Sequence, residues 1–141
     1  MSSKKINIAV VGATGYVGLD LVKFLSSHPR ANIKYLCAQK KIGKQIQFFD
    51  KRIKKSLPKI SNLNKVKWNS IDLLFTSLPT GQSQLLVKKL KKFNKLKIID
   101  LAADFRLTNI KNFAKFYSKK HKAPELLKNS IYSLSEFVKK E

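Results

Sequence analysis

Seven residues, Gly12-Ala13-Thr14-Gly15-Tyr16-Val17-Gly18, constrain this chain more than any other stretch, because of what flanks them. Before them, Lys5 to Val11 reads Lys-Ile-Asn-Ile-Ala-Val-Val, a run of branched apolar side chains suited to a buried strand. After them, Tyr16, Leu19, Val22 and Leu25, with Leu21 and Phe24 alongside, recur at three- and four-residue spacing and predict an amphipathic helix. The helix should stop near Ser26-Ser27-His28-Pro29, since a proline disfavours helical geometry in the residue before it. Asn32 to Ala38 then gives a second strand through Ile33-Lys34-Tyr35-Leu36-Cys37. Lys5 to Ala38 is therefore a strand, a glycine turn, a helix and a strand. Such a unit makes two parallel strands joined by a right-handed crossover.

In that frame each glycine has a separate task. Gly12 permits the tight turn, Gly15 lets backbone approach a diphosphate, and Gly18 lets the helix pack close to the sheet. Amides of the first helical turn then point at an anion, aided by the helix dipole. Gly12, Thr14, Gly15, Tyr16, Val17 and Gly18 are accordingly the expected contacts to a dinucleotide; the bland counterpart is an ordinary glycine-rich turn. The end of the second strand bears on which dinucleotide. An NAD-preferring domain carries Asp or Glu there for the ribose 2′-OH. Here Ala38-Gln39-Lys40-Lys41 follows, with no carboxylate before Asp50, so Gln39 and Lys40, with Lys41, point to a 2′-phosphate and to NADP(H). The alternative is a solvated lysine turn.

Further along, Ile71 to Leu78 reads as a buried strand closed by Pro79-Thr80-Gly81, and Gln82 to Phe93 as a helix with Leu85, Leu86 and Leu90 inward and Lys88, Lys89, Lys91 and Lys92 outward. Lys97 to Ala102 is the next strand, Asn109 to Tyr117 a short helix, and Ala123-Pro124-Glu125 a helix start. The lysine-dense stretch from Gln39 to Ser70 is less legible: Lys65 to Trp68 suits a short strand, and Gln47 to Ile60 a loop or broken helix. Strands alternating with helices predict an α/β chain: a Rossmann-type doubly wound, mostly parallel sheet with helices on both faces. One domain over residues 1–141 fits the length.

Charge is the feature most apt to mislead. The formal net charge is +22, which suggests nucleic acid or an acidic membrane. Nucleic-acid readers lean on arginine, however, and only Arg30, Arg52 and Arg106 are arginines. Lysines are spread along the whole chain with Asn and Ile beside them, as in a genome-wide compositional drift. The apolar runs are too short to span a bilayer, and Met1-Ser2-Ser3-Lys4-Lys5 lacks the long apolar stretch of a signal peptide, so the expected location is cytoplasmic. A single cysteine, Cys37, argues against disulfides and a cysteine-rich zinc site, and no metal is expected. Its place within a strand suits a small buried core thiol.

Three further segments carry a resemblance. Leu78-Pro79-Thr80-Gly81-Gln82-Ser83 closes a strand, and Ile99-Asp100-Leu101-Ala102-Ala103-Asp104-Phe105-Arg106-Leu107 follows the next helix. Then come Tyr117, Ala123-Pro124-Glu125 and Ile131-Tyr132-Ser133-Leu134-Ser135-Glu136. In this order the chain resembles the N-acetyl-gamma-glutamyl-phosphate reductases of the semialdehyde dehydrogenase family. The resemblance implies that a cysteine attacks the acyl phosphate of N-acetyl-glutamyl 5-phosphate, expelling phosphate and leaving a thioester. Hydride from NADPH then yields N-acetylglutamate 5-semialdehyde, in arginine biosynthesis. It also places the nicotinamide near Ser77, Leu78, Pro79 and Gly81, and implies an oligomeric full-length protein.

Departures from the family pattern matter as much. A Tyr-Gly-Leu-Pro-Glu-like stretch is expected where Tyr132-Ser133-Leu134-Ser135-Glu136 stands. The family's nucleophilic cysteine and acid–base histidine are expected beyond Glu141, in a catalytic and dimerisation domain outside this chain. No catalytic residue is therefore assigned here. Neither His28 nor His121 is a candidate; both read as ordinary surface residues. Arg106 could hold the substrate phosphate bidentately, as an arginine after this strand does in the wider family, or pair with Asp104 or Asp100. Asp104 could order Arg106 or cap a turn. Other functions stay open at this point: a stand-alone NADP(H)-binding module, and a lysine-rich nucleic-acid-binding domain.

Overall fold

The computed structural model describes residues 4–134. β1 (Ile6–Val11), α1 (Tyr16–Ser27) and β2 (Ala31–Cys37) form the expected crossover unit. The later elements are β3 (Ile60–Ser61), β4 (Leu73–Thr76), α2 (Gln82–Leu90), β5 (Lys97–Asp100) and α3 (Ile110–Tyr117). The five strands form one sheet in the order β3-β2-β1-β4-β5, and every pairing is parallel. The fold is doubly wound, and the order reverses between β1 and β4.

β1 shows why its sequence lacks polar alternation. Ile8 and Val10 face one core, shared with Val22 of α1 and with Ile33, Ile46 and Ile53. Ala9 and Val11 face the opposite core, shared with Cys37, Leu74 and with Leu86 and Leu90 of α2. A strand covered on both faces must be apolar on both. Each fully buried valine or isoleucine contributes about 1.5–3 kcal/mol.

Local signals set the helix ends. His28, before Pro29, takes φ −74° and ψ 126°, an extended conformation, and α1 stops there. Asn109 caps α3 by accepting from the amides of Lys111 and Asn112, and Ser118 ends it at φ 51°.

Some expectations need correction. Tyr16 and Phe24 lie on the solvent side of α1, 94% and 70% exposed, because Val22 alone of its apolar residues reaches full burial there. Lys65 to Trp68 is not a strand. Val66 and Trp68 mimic alternation, but the backbone winds through two 3-10 turns, Leu63–Lys65 and Trp68–Ser70, while Ile60 and Ser61 take the pairing with β2. α2 ends at Leu90 rather than Phe93, and Leu85 is 42% exposed rather than inward. Pro124 does open a helix, a 3-10 turn to Asn129. Ser135 and Glu136 lie outside the described residues. No helix among the described residues is long and apolar enough to cross a membrane.

Candidate functional site

A cleft of about 580 Å³ opens at the carboxyl ends of the central strands. Val11, Gly12, Thr14 and Gly15 line it from β1 and its turn, Cys37, Ala38, Gln39 and Lys40 from the end of β2, and Ser77, Leu78 and Pro79 from the end of β4. Reversal of strand order between β1 and β4 leaves this crevice, because the chain departs from the two strands in opposite directions.

The turn is built by close packing. Gly12 has φ +83°, and a Cβ there would stand 2.2 Å from the Ser77 carbonyl oxygen. A Cβ on Gly18 would stand 2.1 Å from the Gly12 carbonyl oxygen, so Gly18 seats α1 on the turn. Gly15 differs: its nearest neighbour would be the Gly12 oxygen at 3.5 Å, an ordinary contact, and it faces the cleft. Gly15 is also the N-cap of α1, and no side chain among the described residues caps that helix. The amides of Tyr16, Val17 and Gly18 thus open the helix without a side-chain acceptor.

α2 begins differently. Asp104 is fully buried and accepts from the amide of Gly81 at 2.7 and 3.0 Å, from the amide of Gln84 at 3.2 Å and from Gln84 Nε2 at 3.1 Å. Gly81, at φ +94°, turns the chain so that its amide meets that carboxylate. Asp104 therefore caps a helix and does not order Arg106. The amino end of α2 is sealed by protein; that of α1 has no such acceptor. An anion entering the cleft finds its donors at α1.

Among the described residues the charges of the cleft have one sign. Lys40 and Lys89 are its charged lining residues. Asp50, the first carboxylate after β2, is turned elsewhere: Arg52 binds it through Nε at 3.0 and 3.1 Å and Nη2 at 2.7 Å, and reaches Asp20 of α1 at 2.8 Å. The Arg52 guanidinium holds the Asp50 carboxyl at about 2, well below the usual range. Lys41 leaves the cleft as well; its ammonium lies 5.8 Å from the centre of the Phe48 ring.

Of the expected contacts, Gly12, Thr14, Gly15, Gln39, Lys40, Ser77, Leu78 and Pro79 line one cleft. Tyr16, Val17, Gly18 and Gly81 do not; they form the amino ends of the two helices beside it. Sequence reasoning missed Asn62 and Leu63, which follow β3, and the α2 face of Gln82, Leu85, Leu86 and Lys89. Leu85 and Leu86 were discoverable, since they stand at helical spacing from Gln82, below the Leu78-to-Gly81 turn.

Arg106 is exposed and forms an ion pair with neither Asp100 nor Asp104. Asp100 Oδ1 accepts from the Ala102 amide, while its buried Oδ2 has no partner among the described residues. Burial raises the Asp100 carboxyl above its ordinary range, with the Asp104 charge adding to the effect. His121 is not a surface residue. It is 3% exposed, its Nε2 donates to the Asp104 carbonyl at 2.9 Å, and its Nδ1 accepts from the Ala123 amide at 3.2 Å. Phe105 and Phe113 meet its ring edge-on, which is what the run of neighbouring lysines concealed. Cys37 is a buried core thiol whose pKa burial raises, the opposite of an activated nucleophile. Among the described residues no group of three His, Cys, Asp or Glu is placed to hold a metal.

Comparison with known proteins agrees with this architecture. Residues 7–141 match the family model described as semialdehyde dehydrogenase, NAD binding domain. The chain is 41% identical, over 99% of its length, to the N-acetyl-gamma-glutamyl-phosphate reductase of Ehrlichia ruminantium strain Gardel, and 38% identical, also over 99%, to a probable chloroplastic one of Oryza sativa subsp. japonica. It spans only 40% and 34% of those two proteins. Among solved structures, aspartate semialdehyde dehydrogenase II of Vibrio cholerae matches with a TM-score of 0.58 at 22% identity, over 73% of this chain and 32% of that one. Aspartate semialdehyde dehydrogenase with NADP from Candida albicans gives a TM-score of 0.56 at 22% identity, over 73% and 31%. These two likenesses concern the fold. With the strand order, the glycine turn and a family match over nearly its whole length in agreement, the chain belongs to the NAD-binding domain family of the semialdehyde dehydrogenases.

Proposed function

We propose that this chain is the cofactor-holding domain, over residues 1–141, of a cytoplasmic NADPH-dependent N-acetyl-gamma-glutamyl-phosphate reductase acting in arginine biosynthesis. The substrate would be the acyl phosphate N-acetyl-glutamyl 5-phosphate, reduced to the 5-semialdehyde with release of phosphate. One observation carries the reading: the uncapped amino end of α1 beside a cleft whose charged lining residues, among those described, are both lysines. Relatives bearing the reductase name, matched over 99% of this chain, support it.

The residues present fit NADPH. Gly15 and the first amides of α1 would take the diphosphate, with Thr14 beside them, as open backbone donors with no Cβ in the way. Gln39 and Lys40 would take the adenosine end, where a 2′-phosphate is favoured because no carboxylate among the described residues lines the cleft. Ser77, Leu78 and Pro79 would border the nicotinamide, and Gly81 would hold that loop to Asp104. When bound, NADPH supplies the hydride that reduces the acyl group. Arg106, exposed and without a carboxylate partner among Asp100 and Asp104, is free to grip the substrate phosphate. The nucleophilic cysteine and the acid–base histidine would belong to the part of the relatives' length that this chain does not match, as would contacts between subunits.

Isothermal titration of the chain with NADPH tests the reading. Saturable binding is expected, and fusion to the unmatched part of a relative should restore NADPH consumption with the acyl phosphate. Absence of saturation at millimolar NADPH would defeat the proposal.

A further inference from the structure

We infer that Lys89 of α2, together with Lys40 after β2, selects the 2′-phosphorylated dinucleotide. The inference rests on the cofactor reading above and deepens it, naming a residue on an element that the end of β2 does not include.

Gln82, Leu85, Leu86 and Lys89 stand at i, i+3, i+4 and i+7, so one face of α2 walls the cleft. The amide of Gln82 donates to the Pro79 carbonyl at 3.0 Å, which ties the start of α2 to the end of β4. Lys89 lies seven residues on, about 10 Å farther along the helix axis. It is thus at the far end of that wall from the β4 loop, where the nicotinamide is proposed. The diphosphate donors lie at α1, and the cleft that Lys89 lines is also lined by Gln39 and Lys40, where the adenosine is proposed.

The neighbouring lysines are otherwise engaged. Lys88 pairs with Glu125 at 3.3 Å and reaches the Lys122 carbonyl at 3.5 Å. Lys92 lies over the Phe93 ring at 5.4 Å, and Lys41 over Phe48. From a chain saturated with lysine, the fold brings Lys40 and Lys89 to the cleft. Two ammonium groups on separate elements, with no carboxylate among the described lining residues, suit a phosphate monoester dianion better than a neutral hydroxyl.

The test titrates the full chain with NADPH and with NADH at 0.15 M salt, comparing wild type, Lys89→Gln and Lys88→Gln. Glutamine keeps helix propensity, and Lys89 is exposed, so the fold should persist, as a melting curve verifies. Losing one charge-assisted contact should raise the Kd for NADPH about 10-fold and leave that for NADH unchanged. Lys88→Gln should alter neither. If the wild type prefers NADPH and Lys89→Gln stays within twofold of it, the role of Lys89 is wrong while the cofactor reading stands. Equal weakening toward both dinucleotides would also overturn it, since Lys89 would then meet a part common to the two. A wild type that binds neither, or that prefers NADH, removes the cofactor reading and Lys89 with it.

Discussion

Replacing Gly12 by alanine should cripple the fold, whereas the same change at Gly15 should spare the fold and damage binding. At Gly12 the backbone has φ +83°, which costs a residue bearing a Cβ about 1–2 kcal/mol. The new methyl would also stand 2.2 Å from the Ser77 oxygen and 2.8 Å from its carbonyl carbon, both backbone atoms that no side-chain rotation can clear. Relief requires β1 and β4 to separate at their ends, where the Ser77 amide donates to the Val11 carbonyl at 2.9 Å. Overpacking and the weakened hydrogen bond bring the total to about 3–6 kcal/mol. For a chain of this size that is a fall in Tm of about 10–25 °C. Gly15, by contrast, has φ −77° and ψ 166°, open to any residue, with 3.5 Å of clearance. Alanine there should change stability by less than about 0.5 kcal/mol yet raise the Kd for NADPH about 10-fold or more, because its methyl occupies the approach to the α1 amides. Thermal denaturation followed by circular dichroism, with NADPH titration of each variant, separates the two effects. A Gly12→Ala protein melting within 3 °C of wild type would refute the packing argument, and so would a Gly15→Ala protein that melts as low as Gly12→Ala is expected to.

Other consequences follow from Asp104, which is buried, and Asp100, which is half-buried. Asp104→Ala strips the amides of Gly81 and Gln84 of their acceptor and should cost about 2–4 kcal/mol in chemical denaturation, with the β4–α2 loop becoming protease-sensitive; equal protease resistance in variant and wild type would deny that Asp104 anchors the loop. Asp100 works in the opposite direction: burial raises its pKa above the ordinary 3.8, so the folded state holds the proton more tightly than the unfolded chain does. Stability from this group is complete below the unfolded value and declines as the pH rises through the raised folded value. Asp100→Asn should therefore melt higher than wild type at pH 7, with the margin shrinking toward pH 3; a margin that is constant or grows on acidification would contradict the assigned cause.

What could be read from the chain before its fold was known was what local chemistry determines. β1, the glycine turn, α1 and β2 were legible because each boundary is set by residues adjacent to it: glycine where φ is positive, proline after the last helical turn, branched apolar side chains in the strands. The region from Gln39 to Ser70 was not, because its anchors are distant. Arg52 ties Asp50 to Asp20 of α1, thirty-two residues away, and Ile60 pairs with Leu36, so neither has a periodic signature. The same contrast divides the site. Eight expected cleft residues follow directly from strand ends, which a sequence pattern locates. Lys89 and Lys88 are neighbours of the same type, and nothing local distinguishes the one lining the cleft from the one held by Glu125. His121 is the converse case, a polar residue among lysines that Phe105 and Phe113 enclose from a distance. Lysine abundance thus obscures exactly those assignments that depend on direction, since a helix turns each successive side chain by about 100° and only packing decides which one meets the ligand.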